Sequence, residues 1–134
     1  MKGSNAETAP KFTAWPRNLV EEFEQNRTNG HVGTVLVSET DHVRVWYLNI
    51  PPHFRFGSHC HVLNYFWTAV TAEQGKSHYS DGTIREVTYK VGDIEHLRFA
   101  RGERMQHDLE NTGDAELSFV TVEFTDSPNS PLAL

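Results

Sequence analysis

The sequence holds a single cysteine, Cys60, among 134 residues. No intramolecular disulfide can form from it, and nothing calls for an oxidising compartment. Long apolar runs are also missing, and no stretch approaches the length a helix needs to cross a bilayer. The opening segment MKGSNAETAPKF has a lysine but lacks the apolar core of a signal peptide. A cytoplasmic protein without a membrane partner is therefore expected. Positive charge is scarce: 12 Lys and Arg stand against 18 Asp and Glu, a formal net charge of −6. That balance repels phosphate backbones and anionic lipid. The densest basic group, Arg98, Arg101 and Arg104, is interleaved with Glu95 and Glu103, so no nucleic-acid partner is expected.

Helical patterning is equally sparse. Residues 1–11 are small and polar and read as a flexible arm. In WPRNLVEEFEQNRTNG, Pro16 suits a first helical turn, Leu19, Val20 and Phe23 share a face, and Asn29-Gly30 supplies a stop. A helix over about 16–28 is predicted. From His31 onward the period changes to two, and turn residues divide the chain into eight or more short strands, Asp81-Gly82 marking one hairpin. The barrel is expected over about 31–125, with a polar tail after it. With 37% hydrophobic residues, residues 12–134 are enough for one packed domain and too few for two. One helix ahead of many short strands indicates an all-β sandwich or small barrel.

The segment HCHVLNYFWTAV reads as one strand with bulky residues on both faces. Leu63, Tyr65 and Trp67 fall on one side, and Val62, Phe66 and Val70 on the other. Such a strand needs cover on both faces. The helix or a second subunit would supply the outer cover, and a homodimer is expected. Within the same segment His59 and His61 are separated by one residue, so their side chains point to one face while Cys60 points away. Two imidazoles held this way can share a metal at roughly 2.0–2.1 Å. Taken alone, the pair also fits two ordinary solvent-facing histidines.

His107 lies in another predicted strand and is followed by Asn111, in HDLEN. With it the chain resembles the cupin superfamily, whose signatures are G-(x)5-H-x-H-(x)3,4-E-(x)6-G and G-(x)5-P-x-G-(x)2-H-(x)3-N. His59 and His61 match the first pair, His107 and Asn111 match the end of the second, and Gly92-Asp93 resembles its opening turn. The sequence departs from the pattern at three places. His53 stands where the first signature has glycine, Tyr65 and its neighbours Asn64 and Phe66 stand where it has glutamate, and the second signature is longer and lacks its proline. HVLNYFWTAVT and HDLENTGDAELSFVTVEF are most similar to small single-domain bacterial cupins, some named for an association with β-alanine degradation.

The resemblance implies a jelly-roll barrel of short antiparallel strands with one N-terminal helix. It also implies one divalent transition metal (Fe, Ni, Zn or Mn) held by His59, His61 and His107. Three neutral imidazoles leave such an ion its full charge and open positions, favouring a small anionic ligand. Cupins with this ligand set that use Fe(II) and O₂ make a dioxygenase the leading reading, with a non-catalytic binding protein as the alternative. Tyr65 is the candidate catalytic residue, as a metal ligand or as a donor to the bound molecule, and otherwise a core aromatic. Trp67, Phe99 and Arg98 are the candidate substrate-binding residues; the residue types by themselves favour plain core for the first two and a solvated face for the third. His53, His78 and His96 are read as mouth residues or as surface.

Overall fold

The computed structural model describes residues 15–134; the expected N-terminal arm falls outside the described residues. Helix α1 covers Arg17–Gln25. Pro16 stands at its N-cap, and Asn26 closes it by donating its backbone N–H to the Glu22 carbonyl. Nine strands follow. Strands β1 (Val35–Glu39), β2 (Val43–Ile50), β9 (Leu117–Phe124), β4 (Tyr65–Ala69) and β7 (Ile94–Leu97) form a five-stranded sheet in that order. Strands β3 (Arg55–His61), β8 (Met105–Asn111), β5 (Glu73–His78) and β6 (Ile84–Tyr89) form a four-stranded one. All pairings are antiparallel. Strands β1 and β2 pair within one sheet and β5 and β6 within the other, and every other step along the chain crosses between the sheets in the manner of a jelly roll; the all-β class with one leading helix is observed. Among the described residues no helix is long and apolar enough to cross a membrane.

The interior is packed unevenly. One end is filled by Leu48, Ile50, Ala69, Leu109, Leu117 and Phe119, with Phe56, Trp67 and Tyr89 against them. The histidines lie buried toward the other end, beside a cavity. Helix α1 covers the outer face of the four-stranded sheet. Phe23 is buried there beside Trp15, with ring centroids 5.0 Å apart. Gln106 of β8 donates to the Phe23 carbonyl at 2.6 Å.

HCHVLNYFWTAV is not one strand. It breaks after His61, and β3 and β4 belong to different sheets. Leu63, at 1% exposure, anchors the corner. This resolves why both faces looked apolar: the segment crosses from one wall of the sandwich to the other, so its later residues meet a core from the opposite side.

Candidate metal centre

Strand β3 carries one extra residue relative to β8. Phe56 pairs with Leu109 and His59 with His107, so three steps on β3 match two on β8. This is a β-bulge. It lets Phe56 and His59 face inward together, with rings 5.0 Å apart, and sets His59 directly opposite His107. After the bulge the alternation resumes, placing His61 inward and Cys60 outward, opposite Gln106. The bulge also fixes one imidazole. Nδ1 of His59 lies 2.9 Å from the Gly57 carbonyl; a carbonyl only accepts, so Nδ1 carries the proton and Nε2 offers its lone pair to the interior.

The ligand atoms of His59, His61 and His107 lie within 4.8 Å of one another, and among the described residues no carboxylate or thiol joins the group. Nε2 of His61 and Nε2 of His107 are 3.3 Å apart. A tetrahedral ion at roughly 2.0–2.1 Å from each nitrogen holds two such atoms about 3.3–3.4 Å apart, so this pair already has the spacing of two ligands. A proton shared between the rings satisfies one lone pair, whereas a cation satisfies both. Nδ1 of each of these two rings is buried without a hydrogen-bond partner among the described residues, so neither tautomer is fixed against turning its Nε2 lone pair inward. The donor set therefore fits a metal.

Electrostatics favour the same state. Burial pushes His59 down to about 4, against the opposing pull of the Gly57 carbonyl and Asp108. Burial and the neighbouring imidazoles hold His61 well below its usual value. Burial, His59 and Arg85 do the same for His107. All three are neutral at pH 7, the form that ligates.

Tyr65 faces this cluster from the other sheet. Its ring stacks on His61 with centroids 4.1 Å apart and an interplanar angle of 11°. Burial first, then Tyr79 and Glu95, raises its pKa well above the ordinary value, so it remains a phenol. A cavity of about 470 Å³ extends from the histidines, with Tyr65 and Trp67 in its walls. Trp67 is braced edge-on by Tyr89 and Phe119, at 5.5 and 5.4 Å. Phe99 is not part of the lining: it is buried behind Tyr65, with centroids 6.2 Å apart. Arg98 lies on the outside, at a separate depression it shares with His42, His96 and Asp126. Period-two alternation along β7 explains this, because Glu95 and Leu97 face inward beside Trp67 and Tyr65 and Arg98 continues on the face of His96.

The other histidines are elsewhere too. His96 packs on Phe66 at 5.4 Å. His53 meets Asp114 at 3.1 Å on the surface. Its φ of 67° is the left-handed conformation that favours glycine, which is the residue the signature has there. His78 contacts the buried carboxylate of Asp108 at 3.0 Å. Asn111 is fully buried and closes a turn, donating to the Ile50 and Ala115 carbonyls.

Sequence reasoning passed over three groups. Asp108, beside His107 and pointing away from it, accepts from Arg55 at 2.6 Å, and Arg55 grips Glu22 of α1 with two further bonds of 2.8 Å. Glu123 is buried in the core and accepts from Trp46 Nε1 at 2.8 Å. Arg85 of β6 lines the cavity together with Tyr79. Alternation in IREVTYK puts Arg85, Val87 and Tyr89 on one face and Ile84 on the other, and the sequence alone does not say which is inside.

No family model matches the sequence, and no curated protein matches it. Solved structures do. A cupin domain from Bordetella pertussis is 22% identical, with a TM-score of 0.58, and the match covers 67% of this chain and 88% of that one. An uncharacterised protein with a double-stranded β-helix domain from Klebsiella pneumoniae is 25% identical, with a TM-score of 0.55, covering 73% and 80%. An RmlC-like cupin family protein from Methanocaldococcus jannaschii is 17% identical, with a TM-score of 0.52, covering 65% and 73%. The neighbours are cupin and double-stranded β-helix proteins, and the chain has their jelly-roll fold, with three histidines positioned to hold one metal ion.

Proposed function

We propose that this protein is a metal-dependent cupin that acts on a small anionic metabolite inside the barrel, with O₂-dependent oxidation as the leading reaction. The observation that carries the reading is the set of three neutral, buried imidazoles at the head of an open cavity, two of them already at ligand spacing. A divalent transition ion held there would supply Lewis acidity and, as Fe(II), redox chemistry with O₂. The chain's own residues do the rest. No carboxylate in the set offsets the charge of an ion, so an anionic ligand is favoured. Tyr65 fixes the His61 ring by stacking and keeps its proton, so its hydroxyl is a donor for a bound anion. Trp67 and Phe119 exclude water from the inner end.

The kinship with the small bacterial cupins associated with β-alanine degradation rests on sequence resemblance alone and adds no substrate to this reading. The alternative, a binding cupin that holds an acid without turning it over, is favoured by the absence of a carboxylate beside the histidines among the described residues. We place the protein in the cytoplasm, where the buried thiol of Cys60 stays reduced. Elemental analysis of protein purified without an affinity column that leaches nickel should find about one metal per chain, lost in His107→Ala. A screen of small acids, diketones and thiols for oxygen consumption then separates enzyme from binder. Full metal retention in His107→Ala removes the reading.

We infer further that the protein is a homodimer formed through the outer face of its five-stranded sheet. On the three middle strands the outward positions include Val45, Tyr47, Val120, Val122, Phe66 and Thr68, none of them charged. An uncharged apolar face on a chain of net charge −6 suits a second copy, because like charges stay away from the contact.

A further inference from the structure

The cavity opens at one place. Its exposed lining residues Thr83, Arg85 and Glu95, with Ile94 touching the rim while its side chain faces outward, all belong to β6, β7 or the residue before β6. These two strands are the neighbouring edges of the two sheets and are not paired with each other. The sandwich is thus unzipped along this side, and the gap leads to the histidines. Both lips of the gap carry charge, Arg85 on one and Glu95 on the other, with Asp93 just before β7 also in the lining. Arg85 stands on β6 opposite Ser77, and Glu95 stands on β7 opposite Trp67.

We propose that this gap is the door to the histidines and that Arg85 receives there the carboxylate of a monocarboxylic acid with a compact apolar body. The inference rests on the reading of the histidines as a metal centre and names the ligand class of that site. Among the described residues no ion pair neutralises Arg85. It lines the cavity together with Tyr79, whose ring lies 5.2 Å from that of His107. It is therefore held at the cavity wall near the histidines, with donors left for a planar anion.

The body of the ligand is set by the walls beyond. Trp67, Val87, Tyr89 and Phe119 offer aromatic and branched faces and little hydrogen bonding. A cavity of about 470 Å³ is at the small end of ligand sites and suits one ring or a branched chain. Glu95 sets the charge. It lines the same cavity from β7, opposite Trp67, so a second negative charge on the ligand meets repulsion. Inward charges on edge strands also discourage sheet-to-sheet pairing between molecules. That role alone gives no acid binding, and the experiment separates the two.

Phenylacetate, its uncharged amide and phenylsuccinate are titrated calorimetrically into metal-free and zinc-loaded protein, with metal content measured on each sample. Phenylacetate should bind at least about tenfold more tightly than the amide. Arg85→Gln should lose about tenfold or more of that affinity, with Arg85→Lys in between, while metal content stays at the wild-type level. Glu95→Gln should narrow the gap between phenylacetate and phenylsuccinate. Equal phenylacetate affinity in wild type and a folded Arg85→Gln variant overturns the proposal, as does absence of acid binding at millimolar concentration. Acid binding lost in Arg85→Gln by a protein that takes up no metal upholds it and removes the metal reading instead. Metal uptake without acid binding removes this proposal alone.

Discussion

The carboxylate of Glu22, on helix α1, accepts the backbone N–H of Ser58 at 2.8 Å, inside the bulge that precedes His59. A bulge leaves one residue outside the sheet ladder, and a buried unpaired N–H is costly. The helix supplies the missing partner. The bulge held this way presents the Gly57 carbonyl to Nδ1 of His59, so Glu22 positions a metal ligand through two backbone groups. Burial would raise the Glu22 pKa, but the bonds from Arg55 and Ser58 outweigh it and hold it down to about 2. This contribution to stability is complete above the unfolded value near 4.5 and is lost as pH falls toward 2.

Glu22→Ala is therefore expected to destabilise the protein by about 1.5–3 kcal/mol in urea unfolding, the range for hydrogen bonds to a charged group. It should also weaken metal binding by about tenfold or more, as loss of a partner behind a ligand does. Glu22→Gln keeps an acceptor for Ser58 and should retain most of the metal affinity while losing the pairing with Arg55. Wild-type metal affinity in Glu22→Ala would show that the bulge holds its shape unaided.

Much of the site was readable because its signals are local. H-x-H needs only the two-residue period of a strand, and HDLEN adds a third imidazole through family resemblance. The bulge was not readable, since an extra residue on β3 has meaning only against the register of β8. Nor was the change of sheet at Val62–Asn64, because both walls of a sandwich show the same apolar face to its interior. Which of Arg98 and Arg85 lines the cavity was not readable for a related reason. Each lies in an alternating segment with apolar residues on both faces, and only tertiary pairing decides which face is inside. Glu22, Arg55 and Asp108 come from three elements far apart in sequence and share no local pattern.

Tyr65 tests what replaced the carboxylate of the family signature. Tyr65→Phe keeps the stack on His61 and should keep the metal, while weakening a bound acid by about 0.5–1.5 kcal/mol, the worth of one neutral hydrogen bond. Loss of metal would make the phenol a ligand. Tyr65→Glu places a carboxylate at a position 4% exposed, so the metal-free variant should melt below wild type. Added zinc should recover the difference if the new carboxylate reaches the ion. The same variant should bind acids less well, because part of the ion's charge is cancelled.

Glu123 gives a pH test separate from the metal centre. Burial raises its pKa to about 7, against the opposing effects of Trp46 and Arg44. A carboxyl group raised in the folded state stabilises fully below its unfolded value of 4.5, and the contribution is lost as pH rises through about 7. The buried histidines act in the opposite sense, since they must charge in acid, so wild type alone does not isolate the term. Glu123→Gln keeps an acceptor for Trp46 and removes the titration. The stability difference between variant and wild type should shift in the variant's favour by on the order of 3 kcal/mol from pH 4 to pH 8. A constant difference across that range would mean that Glu123 titrates normally.

The outer face of the five-stranded sheet is the last test. One row crosses all five strands through Val35, Tyr47, Val120, Thr68 and Ile94, and its ends are open, Val35 being 53% and Ile94 55% exposed. Val120 sits at the middle of the row, so a two-fold axis near it would bring the face against itself. A lysine there would bury two like charges in the contact, which no rearrangement at the rim relieves. Val120→Lys should therefore give monomers by light scattering at concentrations where wild type is a dimer. Its unfolding midpoint should change little when measured as a monomer, since the side chain already faces outward. Val70→Lys, at the far end of β4 where the side chain is 40% exposed, should leave the dimer intact. A wild type that is monomeric at micromolar concentration, or a Val120→Lys variant that remains dimeric, would assign this face to something other than a second copy.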